Sequence, residues 1–368
     1  MEQSCCLNNK TKCAIQTISR VDLDINSAYL CANKRMKHLS ILVPAEQTNL
    51  STIACIVGTY QMFSEANNFR AKTGGNALFE IALVGATKTD FLNDSFLSVK
   101  HQFSISEIDK TELIIIPASL VKSYDTATRN NKMLIDWVAR QYKQGAEIAS
   151  MCIGSFMLAS TGLLTNKTCS THWALSENFK SLFPGVNLQT DKLITDENGI
   201  YTNGGAYSFL HLLLYLVEKF YDRATAIHCA KYFQVDLDRN LQAEFSIFNG
   251  HKKHNDQEIL AAQKFIEENY QDKISIEKLS SDLNIGRRNF DRRFIKATGL
   301  TPLDYIQRVK IEAAKKMFET TRKTVSEIMY DVGYSDAKAF RDVFSRITGL
   351  SPLDYKLKYN KESRMTAV

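Results

Sequence analysis

Proline is scarce in this chain: there are five in 368 residues, and only Pro302 and Pro352 lie beyond residue 250. With 16 glycines in no three-residue period, a collagen-like chain is excluded. No apolar run approaches the roughly 18 residues of a membrane-spanning helix. The longest runs, around residues 113–117 and 210–217, are far too short. The first twenty residues are polar and mixed, without the apolar stretch of a secretory signal. Eight cysteines are present, yet none stands in C-x-x-C spacing, so neither a zinc ribbon nor a dithiol redox motif is expected. Cys169 and His172 form a C-x-x-H pair with no second pair at finger spacing, and His251 and His254 read as solvated residues of a polar stretch. No metal and no cofactor is expected. Reduced thiols fit a soluble cytoplasmic chain.

What is present is an uneven charge. Residues 1–250 carry 23 basic and 23 acidic side chains, whereas residues 251–368 carry 23 basic against 17 acidic. The whole net charge of +6 therefore lies in the last third. A basic module joined to a neutral one points to an anionic polymer as partner of the basic part, against the plainer reading of solvated helix faces rich in lysine.

At about 100–200 residues per domain, the length suggests two or three domains. Residues 1–36 lack periodicity and read as a loosely ordered extension, with Met36 as an alternative start. From residue 37 to 235, apolar strand patterns at 39–43, 79–84, 113–116 and 147–151, with 199–201 at an edge, alternate with helical patterns at 53–67, 132–144, 155–160, 172–179 and 208–220. Such alternation predicts a mostly parallel sheet covered on both faces. Residues 236–255 turn polar and read as a linker, and everything after them reads as helix up to a short tail at 360–368.

The helical part repeats itself. Phe290-x3-Phe294-x3-Thr298-Gly299-Leu300-Thr301-Pro302-Leu303-Asp304-Tyr305 recurs as Phe340-x3-Phe344-x3-Thr348-Gly349-Leu350-Ser351-Pro352-Leu353-Asp354-Tyr355. Nine of the sixteen positions are identical after a shift of 50. Each copy reads as a short helix, a tight turn and a second helix closed by glycine, followed by a cap residue and a proline that start the next helix. That is the helix-turn-helix geometry in which the second helix enters the major groove of DNA. Scaffolding repeats usually come in larger numbers than two.

With Phe290 and Phe294 turned inward, Arg288 and Arg292 fall nearly opposite the core, beside Arg287, Asn289, Arg293 and Lys296. In the second copy Ser335, Lys338 and Asp342 face outward, with Arg341 and Arg346 on the flanks. Arginine there is able to pair with guanine edges or phosphate, and Asp342 to accept from the cytosine amino group.

On these motifs, residues 256–359 resemble the DNA-binding domain of the AraC/XylS family of transcriptional regulators. The most specific parts are Asp331-x-Gly333-Tyr334-Ser335-Asp336 and Gly349-Leu350-Ser351-Pro352. The resemblance implies seven helices, with residues 302–318 as the rigid helix between the two motifs.

Upstream, a strand pattern runs into Cys152-Ile153-Gly154-Ser155, the arrangement of a nucleophile elbow at a helix N-terminus, which predicts a lowered thiol pKa; a buried inert thiol is the alternative. Together with Gly162-Leu163-Leu164, Thr171-His172-Trp173 and Tyr201-Thr202-Asn203-Gly204-Gly205, this segment resembles the PfpI-like branch of the class I glutamine amidotransferase-like fold, as joined to AraC-type domains in GlxA-type regulators. The implied fold is a PfpI/flavodoxin-like α/β parallel-sheet sandwich followed by an all-α domain with two helix-turn-helix motifs.

In the enzymes of that family an acid from the loop after the first strand meets the cysteine. Here the position falls near Asn49, with Glu46 as a substitute of uncertain register, and His211 stands where an aspartate usually begins a later helix. A thiolate without its proton partner is half a mechanism.

The expected function is therefore a DNA-binding regulator, not an enzyme. Its front domain is expected to bind a small-molecule effector, with Glu46, Asn49, Cys152, Ile153 and His172 as pocket candidates, or to dimerise. The alternatives are a cysteine enzyme (hydrolase, hydratase or glyoxalase-like) and a Cys152 redox sensor, each fused to the DNA-binding domain. Double-stranded promoter DNA and a second copy of the chain are the expected partners, since paired half-sites require paired readers. A bacterial cytoplasmic location, on the nucleoid when DNA-bound, goes with that reading.

Overall fold

The computed structural model describes residues 36–44, 50–88, 91–93, 98–119, 128–237, 242–252 and 254–360. Seven strands form one sheet: β1 (Lys37–Leu42), β2 (Phe79–Gly85), β3 (Phe103–Ser104), β4 (Leu113–Ile116), β5 (Glu147–Met151), β6 (Ile194–Glu197) and β7 (Ile200–Asn203). Their order is β6-β7-β5-β4-β1-β2-β3, parallel throughout except for the β6–β7 hairpin. Every residue of β4 is fully buried, as a central parallel strand with both faces covered requires.

Residues 200–203 are thus not the edge that the sequence suggested. The edge on that side is β6, whose sequence Ile-Thr-Asp-Glu holds a single apolar residue and carries no strand pattern. Helices α1 (Leu50–Lys72), α2 (Lys132–Lys143), α3 (Gly154–Ser160), α4 (Ser176–Leu182), α5 (Phe209–Phe220) and α6 (Arg223–Phe233) complete the domain around a single apolar core. The helical pattern at 172–179 resolves into a 3-10 turn at Trp173–Leu175 followed by α4. Helix α6 was not anticipated, and Asp222 starts it by accepting from the Thr225 amide at 2.7 Å.

The second domain has seven helices, as the resemblance implied: α7 (Gln257–Glu268), α8 (Ile276–Asp282), α9 (Arg287–Thr298), α10 (Pro302–Thr320), α11 (Val325–Asp331), α12 (Ala337–Thr348) and α13 (Pro352–Tyr359). The repeat is built into bonds as well as letters. Thr301 and Ser351 each cap a helix by accepting from the amide three residues on, at 3.1 Å in both. Gly299 and Gly349 both close their helices in the left-handed conformation. The ring pairs Phe294–Tyr305 and Phe344–Tyr355 are both edge-on, at 5.3 and 5.5 Å.

Two separate cores result, one around Phe290, Phe294 and Tyr305, the other around Phe340, Phe344 and Tyr355, with α10 running through both. The copies differ at their turns: residues 283–286 separate α8 from α9, four residues, whereas 332–336 separate α11 from α12, five residues.

Candidate functional site

The second helix of each motif presents a polar face. Phe290, Phe294 and Thr298 of α9 are buried, as are Phe340, Phe344 and Thr348 of α12. Arg287, Arg288, Asn289, Arg292 and Lys296 are exposed on α9, and Ser335, Lys338, Arg341, Asp342 and Arg346 on or beside α12.

These residues do not all stand free. Arg287 pairs with Glu277 and with Asp291, the latter at 3.0 Å. Arg293 pairs with Asp256 at 2.5 Å and Glu258 at 2.7 Å. Arg346 turns back onto α10, where it donates to Gln307 at 2.6 Å and lies 3.8 Å from Asp304. Arg288, Arg292, Lys296, Lys338 and Arg341 form no ion pair among the described residues, and Arg292 donates to Asn289 at 2.9 Å. An anionic partner would find these five cations without first displacing a carboxylate.

In the front domain the ladder between β5 and β7 continues for one residue: the Cys152 amide donates to the Asn203 carbonyl at 3.1 Å and lies 3.3 Å from its side-chain oxygen. Cys152 takes φ +53, a conformation uncommon for a side-chain-bearing residue and typical of a nucleophile elbow. The hydroxyls of Ser155 and Thr171, 2.8 Å apart, lie 3.0 and 3.3 Å from the Cys152 carbonyl.

The elbow geometry holds, but the expected thiolate does not. Cys152 is 5% exposed, and burial pushes its pKa up to about 11, outweighing the helpful backbone hydrogen bond at Ile153. Desolvation of a thiolate beats the few dipoles of a helix only seven residues long. Cys55, Cys169 and Cys229 are pushed up further, to about 12, also by burial.

Glu46 and Asn49 lie outside the described residues. Burial lowers the pKa of His172, which keeps its imidazole neutral near pH 7. Its Nδ1 accepts from the Ala174 amide at 3.1 Å rather than meeting Cys152. Among the described residues no cluster of His, Cys, Asp and Glu can hold a metal ion, and no helix is long and apolar enough to cross a membrane.

Close to Thr171 packs a residue that the sequence did not single out. Gln242, from the supposed linker, is 1% exposed. Its Nε2 faces the Thr171 carbonyl at 3.1 Å, the Lys192 carbonyl at 3.2 Å and the Ser170 hydroxyl at 3.3 Å, and its backbone amide donates to Asp191 at 3.0 Å. Gly204 leaves room for it: a Cβ there would lie 2.1 Å from Nε2. Beyond Gln242, the Ser246 carbonyl accepts from Lys315 at 2.6 Å and the Phe248 amide donates to Glu312 at 3.2 Å, both on α10.

His251 and His254, expected in solvent, are packed as well. His251 contacts the Thr298 carbonyl, and His254 lies 2.9 Å from Gln263. Among the described residues, polar groups of the connecting segment have partners in both domains.

Family models match the chain in two places: residues 60–219 as DJ-1/PfpI family and residues 279–358 as a helix-turn-helix domain. The chain thus carries one region similar to the DJ-1/PfpI family and a later one similar to helix-turn-helix domains. It is similar to the HTH-type transcriptional regulator GbdR of Pseudomonas aeruginosa, 25% identical over 224 residues, which is 60% of this chain and 60% of that relative. The HTH-type transcriptional regulator GlxA of Rhizobium meliloti is 24% identical over 58% of this chain and 66% of its own length. A crystal structure of an AraC family transcriptional regulator from Pseudomonas putida aligns with 54% of this chain and all of its own, at 15% identity and TM-score 0.43. The chain spans about 60% of the length of the first of these relatives.

Proposed function

We propose that this protein is a sequence-specific DNA-binding transcriptional regulator whose DJ-1/PfpI domain serves as the sensor. The observation that carries this reading is the pair of exposed α9 and α12 faces, where five cations have no carboxylate partner among the described residues. Arg287 and Arg293, by contrast, are held by carboxylates. Two such helices on one chain suit successive major-groove segments, and the basic excess of residues 251–368 adds phosphate attraction. The names of the similar proteins support the same role.

The front domain is read as a binding domain and not as an enzyme. Its thiol is un-ionised near neutral pH, and His172 turns its Nδ1 to the Ala174 amide. An effector beside Cys152 would meet Thr171, whose hydroxyl lies 3.3 Å from the Cys152 carbonyl and whose own carbonyl faces Gln242, and through Gln242 the segment held by α10. Dimerisation and a cytoplasmic location follow from the regulatory role as parts of the same proposal.

The test is capture of fragmented DNA from the source genome by the purified full chain, followed by sequencing. Enrichment of a few intergenic segments is the expected result. Uniform recovery of all fragments would reduce the protein to a non-specific polyanion binder.

A further inference from the structure

Lys310 sits where the two cores of the helical domain meet on α10. Tyr305, Ile306 and Val309 pack into the first core, and Ile311, Ala314 and Phe318 into the second. Its side chain crosses between the motifs. Nζ donates to the Val332 carbonyl at 2.9 Å and the Gly333 carbonyl at 3.2 Å, both in the turn of the second motif. It also donates to the Asp272 carbonyl at 3.3 Å, in the loop between α7 and α8 of the first. The residue is 7% exposed, and Nζ lies 5.6 Å from the Tyr334 ring centre.

A buried ammonium is tolerable only when its hydrogens have partners. Here all three partners are carbonyls of turns, so the cation holds backbone to backbone. Gly333 makes the junction tight: it has φ +74, and a Cβ would lie 2.1 Å from the Gln271 carbonyl oxygen. The repeat does not require such a crossing. Asn360, fifty positions on, donates to Phe318 and Thr321 at 2.8 Å each, near the end of α10 and within the second motif.

We propose that Lys310 is a positioning residue for DNA reading: it fastens the turn before α12 to the loop before α8 and so sets the separation at which the two reading helices meet successive grooves. This rests on the DNA-reading role proposed above. Helix α10 and Tyr270, which packs from the α7–α8 loop against the second core, join the two motifs, and the Lys310 node adds a directional tie between their turns, so the chain accepts one spacing between its two half-elements.

The test is iterative selection of binding sequences from random duplex DNA by full-length wild type and Lys310→Met, with melting temperatures measured for both. Wild type should enrich two half-elements at one separation, with about tenfold preference over a site lengthened by one base pair. Lys310→Met should enrich the same half-elements at several separations, the preference falling below about threefold. The same single separation in a folded Lys310→Met would overturn the proposal. Should that variant fail to fold, Gly333→Ala forces the turn off the Gln271 carbonyl and should change or broaden the separation; an unaltered one overturns the proposal equally. A wild-type chain that enriches no half-element removes the DNA-reading role itself, an outcome distinct from an enriched pair of fixed spacing.

Discussion

Arg293 grips Asp256 with two nitrogens, Nε at 2.9 Å and Nη2 at 2.5 Å. Asp256 is also the cap of α7, accepting from the Ile259 amide at 3.3 Å. One carboxylate therefore ties a reading helix to the first helix of its domain. The Arg293 guanidinium holds the Asp256 carboxyl below the usual carboxylate range.

Arg293→Ala should thus lower the melting temperature of the helical domain without changing which bases are preferred. Because the folded-state pKa of Asp256 is depressed, its contribution is present above the unfolded value near 4 and disappears as pH falls below it. The difference in melting temperature between wild type and Arg293→Ala should shrink in acid. A selected DNA motif that lost one position in this variant would place Arg293 among the reading residues instead.

Arg288→Ala and Arg292→Ala should behave oppositely. Each should keep the melting temperature and weaken specific binding by about 1–3 kcal/mol if the side chain meets a base edge. Asp342→Ala should relax preference at one position with little loss of affinity, since an acid near phosphates contributes selectivity. Equal weakening on all DNA sequences in all three variants would mean that none of them reads bases.

Binding should weaken steeply with salt, and Lys296→Ala should reduce the slope of log affinity against log salt by about one. A slope identical to that of wild type would show that Lys296 reaches no phosphate.

For Cys152 the expected behaviour is resistance. With its pKa pushed from the ordinary range near 9 up to about 11, its thiolate fraction near neutral pH falls about a hundredfold below that of an unfolded cysteine. Alkylation should be slow, speed up with pH until about 11, and become fast once denaturant is added. The four buried thiols, all shifted upward, stabilise the front domain fully below the unfolded pKa and progressively less as pH rises through the folded values. Rapid labelling of Cys152 in the native chain at pH 7 would reopen the redox-sensor reading.

Much of this was legible beforehand, for identifiable reasons. Strands such as 113–116 are unbroken apolar runs, and the repeat announces itself through Phe290, Thr298, Gly299 and Pro302 and their counterparts fifty residues on. The misses share one cause: they depend on a partner distant in sequence. Cys152 looks activated by its neighbours in the chain, but its burial comes from other segments. Arg293 looks like a reading residue until Asp256, 37 positions away, is brought beside it. Gln242 and Lys310 carry no local signal, because their meaning lies in carbonyls of turns that no periodicity describes.

Gln242→Ala should empty the space over Gly204 and leave the Thr171 and Lys192 carbonyls without that donor. Loosening of the connecting segment, read as faster amide exchange at residues 243–248, is expected while both domains keep their folds. Unchanged exchange there would show that the anchor on α10 suffices alone.

The same contact bears on how such proteins are cut and joined. Composition changes near residue 236, yet Gln242 belongs by contact to Ser170, Thr171 and Lys192 of the front domain, and Ser246 and Phe248 belong to α10. A chimera that grafted a foreign sensor onto this reader at the compositional border would carry Gln242 over to a host with no Gly204 beneath it. The portable cassette starts after Gln242, just before Ser246, and the stub left on the donor must keep its glutamine.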